Sequence, residues 1–360
     1  MSLEFRAATR LGAFDYEAAF AAQQEIVVLF GHSGAGKSVT LQIAAGLMKP
    51  RSGRVVIDGK VVFDAGSGVN VPPQGRNVGY VVQELALFPH MTVAENVAFG
   101  MGGTDRRPRV AALLELLDLV GYGDRAPRSL SGGQRQRVAL ARALGRDARV
   151  LLLDEPFSAL DESLRASLRA ELLRLRKELG LTIVFVTHDL REAHLLADRL
   201  AVFDEGKLLQ LEERETVFRR PASRRVAELT GVANVLRGKV VRSTGDGLIV
   251  DVADLWLRCA TAPGATFRAD QEADLAIRAE RVNLRRITPG EVLPPNMFVA
   301  MVVEEFAYGS THTLRLQPVT AGPALEVELA ARPYEILGVA GQKSWTVELP
   351  AEDLHPMPAN

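Results

Sequence analysis

Short apolar runs alternate with segments of helical period over residues 1–230 of the chain. Five of these runs predict strands, namely residues 25–30, 78–82, 150–154, 183–187 and 199–204. Such alternation is typical of a three-layer α/β domain. Residues 53–64 contain two further β-branched runs on either side of Asp58 and Gly59, and therefore predict a hairpin.

Capping patterns predict where several helices between these strands begin and end. Residues 161–179 have a helical period, and Gly180 is suited to the C-terminal cap of that helix. Capping boxes before apolar runs are predicted at two pairs, Thr92 with Glu95 and Ser131 with Gln134.

The pattern changes after about residue 231 to short β-type runs with Gly and Pro turns. Asn234 and Asn296 open two similar stretches, and residues 274–284 and 344–354 close them. This internal similarity predicts two tandem small β-barrels, over residues 232–287 and 294–356. We therefore expect one domain at residues 1–230 and a second, β-rich domain at residues 231–360.

Composition narrows the class of protein. The 360 residues are 47% hydrophobic and 24% charged, which leaves ample core for about two domains. A net charge of -1 argues against a general polyanion binder, and we expect no nucleic-acid partner. One cysteine, Cys259, cannot form an internal disulfide, so we expect a reducing compartment. Because no apolar run approaches the ~20 residues that span a bilayer, and the start differs from a signal peptide, we expect a cytosolic chain that reaches membranes through partners.

The strongest chemical signal follows the first predicted strand and opens a helix. It fits G-x-x-x-x-G-K-[ST], in which glycines let backbone amides curl around a phosphate and the helix N-terminus adds partial positive charge. Lys37 is expected to reach the β- and γ-phosphates, and the Ser38 hydroxyl to ligate Mg²⁺. The candidate nucleotide-binding residues here are Gly31, His32, Ser33, Gly34, Ala35, Gly36, Lys37, Ser38 and Val39.

A second magnesium anchor is predicted at the end of the strand at residues 150–154. Four apolar residues indicate a buried parallel strand, and Asp154 follows at its carboxyl end, where α/β sheets bind ligands. Glu155 is placed to activate a water as general base. The alternative, two acids that merely end a strand at the surface, is disfavoured by the phosphate loop.

Residues 130–134, with the sequence LSGGQ, begin a helix rich in arginine. A cap needs only Ser131, whereas Gly132 and Gly133 remove side chains from the approach to the helix amides, which predicts an anion site that includes Gln134. The motif follows long after the phosphate loop. Two chains facing head to tail could place both motifs on one γ-phosphate.

With these motifs, residues 1–230 resemble the ATP-binding subunit of ABC transporters. The resemblance extends to the LLLDEP strand and to three further positions in the expected order: Gln83, Asp161 at the end of the segment SALD, and His188. It implies a P-loop NTPase fold with an antiparallel β subdomain and a helical subdomain at about residues 84–145. It also implies that Gln83 senses the γ-phosphate and Mg²⁺, that the loop of Asp161 crosses a dimer interface, and that His188 holds the γ-phosphate and the attacking water.

The resemblance further implies an enzyme that hydrolyses ATP with Mg²⁺ held by Ser38, Gln83 and Asp154. In a homodimer, ATP bound by one copy is covered by the LSGGQ motif of the other, and Glu155 acts as base. Closure drives a membrane permease dimer supplied by a substrate-binding protein, and the chain works peripherally at the cytoplasmic face of the membrane. We expect the permease on residues 85–91, which are apolar for a loop, unless Leu87 and Phe88 are core.

Adenine recognition departs from the family pattern. The family usually stacks adenine on an aromatic residue near the N-terminus, whereas the nearest equivalents by spacing, Arg10 and Leu11, are not aromatic. Phe14 or Tyr16 could substitute, and both could equally be core.

The tail resembles those of importers and, in residues 233–240 and 276–280, the molybdate-binding repeat of TOBE or Mop type. Residues 231–234 read GVAN where such repeats read SARN, so the usual serine and arginine donors are missing. Lys239 and Arg278 remain as candidates, but we expect a dimerising, regulatory wall instead. For cargo we expect molybdate or tungstate; the alternatives are a sulfate, iron or sugar/polyamine importer, or a soluble non-transport ATPase.

Overall fold

The computed structural model describes residues 2–103, 105–158, 160–244, 247–260, 267–286 and 292–359. The chain forms two compact units, Met1–Arg214 and Glu215–Asn360. The predicted repeats of the second domain run partly through residues 245–246, 261–266 and 287–291, and Ala159 belongs to the predicted SALD segment; these positions lie outside the described residues.

The first unit contains one large sheet and helices that follow its strands. Its strands are β1 (Leu3–Leu11), β2 (Phe14–Ala22), β3 (Ile26–Phe30), β4 (Ser52–Ile57), β5 (Lys60–Asp64), β6 (Val69–Asn70), β7 (Val78–Val81), β8 (Val150–Asp154), β9 (Thr182–Thr187), β10 (Arg199–Asp204) and β11 (Lys207–Glu213). Its helices are α1 (Lys37–Ala45), α2 (Val93–Ala98), α3 (Arg107–Leu116), α4 (Gly132–Leu144), α5 (Glu162–Leu179) and α6 (Leu190–Leu196).

The sheet has eleven strands in the order β6-β5-β4-β1-β2-β11-β10-β3-β9-β8-β7. Strands β10, β3, β9, β8 and β7 run parallel, and every residue of β3, β8 and β9 is buried. Their continuous apolar sequence is what two-sided burial requires. The five strands and the hairpin predicted from the apolar runs are therefore confirmed, with ends that differ by at most one residue.

Four strands of the first unit were not predicted from the sequence, namely β1, β2, β6 and β11. The two longest, β1 and β2, belong to the antiparallel part of the sheet. Strands β1 and β2 pair along their whole length and bury alternate side chains. Many of their residues are alanine, which has a weak strand preference and blurs the alternation. Tertiary burial, which covers Phe5 and Phe20 in one stacked pair, overrides that weak preference.

The predicted helix ends are confirmed by their hydrogen bonds. Capping boxes are present at Thr92 and Ser131. The Asp161 carboxylate accepts from the amide of Leu164 at the start of α5, and Gly180 ends that helix in the left-handed conformation at φ 61°. Helices α2, α3 and α4 occupy the region expected to be a helical subdomain.

The second unit is rich in strands. Its helices are α7 (Arg214–Arg219), which begins at the boundary, α8 (Arg224–Leu229) and α9 (Ala331–Leu337). Its strands are β12 (Asn234–Thr244), β13 (Gly247–Val252), β14 (Leu255–Cys259), β15 (Glu272–Ile277), β16 (Asn283–Arg285), β17 (Met297–Tyr308), β18 (Thr311–Pro318), β19 (Leu325–Ala330), β20 (Ser344–Glu348) and β21 (His355–Pro358).

The internal repeat appears in the strand order of two five-stranded sheets, β14-β13-β12-β15-β21 and β16-β20-β17-β18-β19. The last strand of each repeat, β16 or β21, joins the sheet of the other repeat. Asn234 and Asn296 occupy equivalent places: Asn234 exchanges two hydrogen bonds of 2.7 Å with the backbone of Glu326, and Asn296 exchanges bonds of 2.6 and 2.7 Å with that of Arg258. Both sheets contribute to one apolar core, so the described repeats do not each close around a core of their own.

The division between the units precedes residue 231 because short helices α7 and α8 belong with the second unit. Arg278 donates to the carbonyls of Phe218 and Thr230, and its guanidinium stacks on the Phe218 ring. These contacts attach the segment after Arg214 to the strands that follow it.

Candidate nucleotide site

Predicted site residues follow the carboxyl ends of four neighbouring parallel strands, at one edge of the sheet. Strand β3 leads into the phosphate loop, β9 into His188, β8 into Asp154 and Glu155, and β7 towards Gln83. Since the carboxyl ends of parallel strands lie on the same edge, residues far apart in sequence meet there.

Two glycines of the loop are required by its backbone. Gly31 has φ 155°, and a Cβ there would lie 2.2 Å from the carbonyl oxygen of Phe203. Gly36 has φ 98°, and its Cβ would lie 3.1 Å from the Tyr16 ring and 3.3 Å from Phe14. The loop can therefore take this path only without side chains at these positions.

Lys37 is buried with its ammonium inside the loop. The Nζ atom donates to the carbonyls of Gly31 and His32, both at 2.8 Å. Burial lowers the pKa of Lys37, while the negative charges of Glu155 and Asp154 raise it. The ammonium is thus held where it can exchange the two carbonyls for phosphate oxygens.

The other predicted loop residues form the turn itself and the first turn of α1. The amide of Ala35 donates to the His32 carbonyl at 3.2 Å, and the amide of Gly206 donates to the Ala35 carbonyl at 3.1 Å. Ser33 and Gly34 complete the turn, and Val39 lies in α1.

Ser38 and Asp154 are adjacent, as a magnesium site needs. The Ser38 hydroxyl donates to Asp154 Oδ1 at 2.9 Å, and the Tyr80 hydroxyl donates to Oδ2 at 3.5 Å. Burial raises the pKa of Asp154, and the bond from Ser38 opposes this shift. A hydroxyl and a carboxylate fit Mg²⁺, which is bound by few protein oxygens together with phosphates. The described residues contain no cluster of three or more His, Cys, Asp or Glu suited to a metal.

Glu155 and His188 form a pair beside Asp154. His188 Nδ1 lies 3.0 Å from Glu155 Oε1, and the Glu155 amide donates to the carbonyl of Val186 at 3.1 Å. Glu155 has φ 44°, a left-handed conformation that costs energy for a residue with a Cβ. The strain turns the chain sharply at the end of β8, and this sets the carboxylate beside His188.

Contacts around His188 were not anticipated from the sequence. The Thr187 hydroxyl donates to Glu192 at 2.6 Å and accepts from the Asp189 amide at 2.9 Å. Burial raises the pKa of Glu192, and Asp189 caps α6. A threonine followed five residues later by a glutamate is a common pattern, so the sequence alone does not indicate the contact between Thr187 and Glu192.

The LSGGQ motif contacts the segment that follows Glu155. Ser131 and Gln134 bond to each other's backbone as a capping box, and a Cβ on Gly132 would lie 3.3 Å from Leu160. A Cβ on Gly133 would lie 2.6 Å from the Leu164 side chain. Gly133 therefore packs closely against Leu164, whose half-buried side chain would have to shift for any larger residue, a role additional to the open approach to helix amides expected from the sequence.

Gln83 and Asp161 both lie on loops, after β7 and before α5 respectively. Gln83 is exposed, two residues after β7. Asp161 is an N-cap, and the amide of Leu164 lowers its pKa. Ser158, in the same segment, donates from its hydroxyl to the Glu155 carbonyl at 3.0 Å, which ties this loop to the candidate base.

The two aromatic residues that are candidates to stack on adenine differ in burial. Tyr16 is 1% exposed, and its hydroxyl hydrogen-bonds Thr40 at 2.7 Å, so its ring is core. Phe14 is half-buried, with its ring edge against Gly36 of the phosphate loop. Of the two rings, that of Phe14 is both beside the loop and partly exposed.

The basic residues of the tail that remained as anion candidates already have partners. Lys239 pairs with Asp270 at 2.8 Å. Arg278 is engaged with Phe218 and Thr230, and burial lowers its pKa. Both basic side chains are therefore engaged within the second unit.

Comparisons with known proteins agree with this geometry. A family described as "ABC transporter" matches residues 20–158. The spermidine/putrescine import ATP-binding protein PotA of Chromobacterium violaceum is 41% identical over 322 residues, covering 88% of this chain and 86% of that protein. The PotA proteins of Nitratidesulfovibrio vulgaris and Methylococcus capsulatus are 36% and 44% identical, covering 91% and 72% of this chain and 90% and 67% of those proteins.

Solved structures of ATP-binding cassettes show the same fold. Clostridium perfringens cbiO1, part of the transporter complex cbiONQ, is 29% identical with a TM-score of 0.53, over 60% of this chain and 90% of that one. A cassette solved as a dimer in a post-hydrolysis state with ADP and phosphate is 30% identical with a TM-score of 0.50, over 59% of this chain and 98% of that one.

The chain belongs to the ABC transporter family, as an ATP-binding subunit with a β-rich second unit. Importer subunits of this kind act as dimers with a membrane permease and a substrate-binding protein. The relatives correct one expectation: they are polyamine import proteins, so molybdate and a molybdate-type tail are not supported.

No helix among the described residues has both the length and the apolar character needed to cross a bilayer.

Proposed function

We propose that this chain is the ATP-hydrolysing subunit of an importer of spermidine and putrescine. The observation that carries the ATPase is the meeting of Lys37, Ser38, Asp154, Glu155 and His188 at one sheet edge. The similarity to PotA proteins over 88% and 91% of the chain supports the cargo, because it extends into the second unit.

In this function the phosphate loop binds the triphosphate of ATP and Lys37 neutralises its β- and γ-oxygens. Ser38 and Asp154, with Gln83, would hold Mg²⁺, which when bound neutralises further charge on the phosphates. Phe14 offers its open face to the adenine ring. The burial that lowers the pKa of Lys37 also weakens competition from water for the phosphate.

Hydrolysis needs a base and a group that orients the attacking water. Glu155 accepts the proton of that water on its carboxylate, and His188, 3.0 Å away, orients the carboxylate and contacts the γ-phosphate. The strained φ of Glu155 is consistent with a side chain held for this purpose.

A twin subunit completes the site. The amides at the start of α4, capped by Ser131, lie beside the loop of Ser158 and Asp161, so both form one surface that faces the ATP of the partner copy. Towards the other end of α4, where Arg142 lies over the Phe88 ring, the rings of Phe88 and Phe99 pack with their centres 4.4 Å apart, and Phe99 is 49% exposed. This apolar patch is the proposed seat of the permease at the cytoplasmic face of the membrane.

The nucleotide site itself never touches cargo, so cargo is tested in the assembled transporter. The chain is reconstituted in liposomes with its permease and binding protein, and ATP hydrolysis is measured with spermidine, putrescine, molybdate or sulfate. Stimulation by the polyamines alone supports the proposal, whereas stimulation by molybdate alone overturns the cargo. Absence of ATP hydrolysis under every condition overturns the enzyme.

A further inference from the structure

The loop that carries Gln83 has two consecutive residues in the left-handed conformation. Leu85 has φ 60° and Ala86 has φ 44°. Neither is glycine, and such a backbone persists only where its surroundings hold it. The backbone also turns tightly at this place, because the Ala86 amide donates to the Glu84 carbonyl at 2.7 Å.

Arg142 is the side chain that holds this loop. Its Nη2 donates to the carbonyl of Leu85 and its Nη1 to that of Ala86, both at 2.6 Å. The guanidinium also lies 5.6 Å from the centre of the Phe88 ring. A planar guanidinium with two parallel N–H donors fits two successive carbonyls and fixes their direction, whereas a lysine ammonium, as at Lys37, bonds two carbonyls without that planar constraint.

Arg142 lies in the last turn of α4, whose first turn is the LSGGQ motif. The helix has 13 residues, which makes it about 20 Å of rigid backbone. One end is capped by Ser131, and the other grips the loop two residues beyond Gln83.

We propose that Arg142 is a positioning residue, which sets the place of Gln83 at the nucleotide and so ties the glutamine loop to the LSGGQ helix of the same chain. The inference rests on the proposed function for its effect on hydrolysis. Without the guanidinium fork the strained turn relaxes, and Gln83 leaves the γ-phosphate and Mg²⁺. The phosphate loop, built by other residues, stays as it is.

Steady-state kinetics test the effect on hydrolysis. Arg142→Ala should lower kcat roughly tenfold and leave KM for ATP within about twofold, because displacing a positioned group costs rate more than binding. Arg142→Lys should recover part of the loss. The matched control is Arg146→Ala, since Arg146 also donates to a loop carbonyl, that of Gln74 at 2.7 Å, but on a different loop.

A double variant separates positioning from general damage. If Arg142 acts through Gln83, then Arg142→Ala should change kcat little once Gln83→Ala is present. Additive losses, or a loss no larger than that of Arg146→Ala, overturn the inference.

Hydrogen exchange supplies a readout that needs no activity. Amides of residues 84–88 should exchange faster in Arg142→Ala than in wild type, and Arg146→Ala should leave them unchanged. Equal exchange in all three proteins overturns the inference. If the wild-type protein hydrolyses no ATP but Arg142→Ala still speeds exchange in this loop and Arg146→Ala does not, the proposed function is overturned. The hold of Arg142 on the loop is then still established.

Discussion

Phe14 provides the sharpest test of how this chain binds ATP. It stands beside the phosphate loop with its Cζ 3.3 Å from the place of a Gly36 Cβ, and it is half-buried. We expect Phe14→Ala to weaken ATP binding because the adenine loses its aromatic platform. Base stacking on an aromatic ring contributes about 1–3 kcal/mol, so the dissociation constant should rise roughly 5- to 150-fold.

Tyr16→Phe is the matched control, since it changes an aromatic residue two positions away. The variant loses one hydrogen bond of 2.7 Å to Thr40 and keeps the buried ring. We expect about 1 kcal/mol less stability from the lost bond. ATP affinity should stay as in wild type, because this ring is core.

Calorimetric titration with ATP and with inorganic tripolyphosphate checks the reasoning. If Phe14 stacks on adenine, Phe14→Ala weakens binding of ATP and leaves tripolyphosphate unaffected. Equal weakening of both ligands would show that truncation disturbed the loop. Unchanged ATP affinity in a folded Phe14→Ala protein would refute the adenine platform altogether.

Four other changes have expected outcomes. Lys37→Ala should weaken nucleotide binding by about 10-fold or more, since charged hydrogen bonds contribute ~1.5–3 kcal/mol; an unchanged titration would contradict the loop assignment. Glu155→Gln should keep ATP binding, lower turnover by about 10²–10⁴-fold and accumulate an ATP-bound dimer in gel filtration, and turnover at the wild-type rate contradicts the base. Gly133→Ala should lower the melting temperature, because the added Cβ would lie 2.6 Å from the Leu164 side chain. We expect the free energy of unfolding to fall by about 1–3 kcal/mol, part of which Leu164→Ala restores. A Gly133→Ala protein more stable than wild type contradicts this packing. Burial lowers the pKa of His355 below its ordinary 6.5, so as the pH drops below that value the unfolded state binds a proton that the folded state does not. The free energy of unfolding should therefore fall with pH, by at most ~1.4 kcal/mol per pH unit. Denaturant titrations of His355→Gln should show a weaker pH dependence than wild type, and an equal dependence contradicts the assignment.

Much of the candidate site was predictable because its chemistry is encoded locally. The phosphate loop needs glycine where the backbone takes positive φ, and a buried parallel strand needs an apolar run before Asp154. Thr92 and Ser131 form the predicted caps because a capping box involves only four successive residues. Such signals survive in any fold that uses them.

Other features could not be predicted because their partners are distant in sequence. Tyr80 on Asp154, Arg142 on Leu85 and the pairing of Glu155 with His188 each join different elements. The exchange of β16 and β21 between two sheets is of the same kind. Cargo is a further case, because no residue of the nucleotide site distinguishes one transported molecule from another.

The amino-acid sequence by itself determined the class of protein, the triphosphate chemistry and the alternation of helix and strand, since each depends on spacing within about one element. Only the tertiary structure decided that Tyr16 is core and Phe14 accessible, and that Gly133 serves packing against Leu164. The physical reason is that burial and contact depend on which strands become neighbours. That order results from the summed packing of the whole sheet, which no local pattern contains.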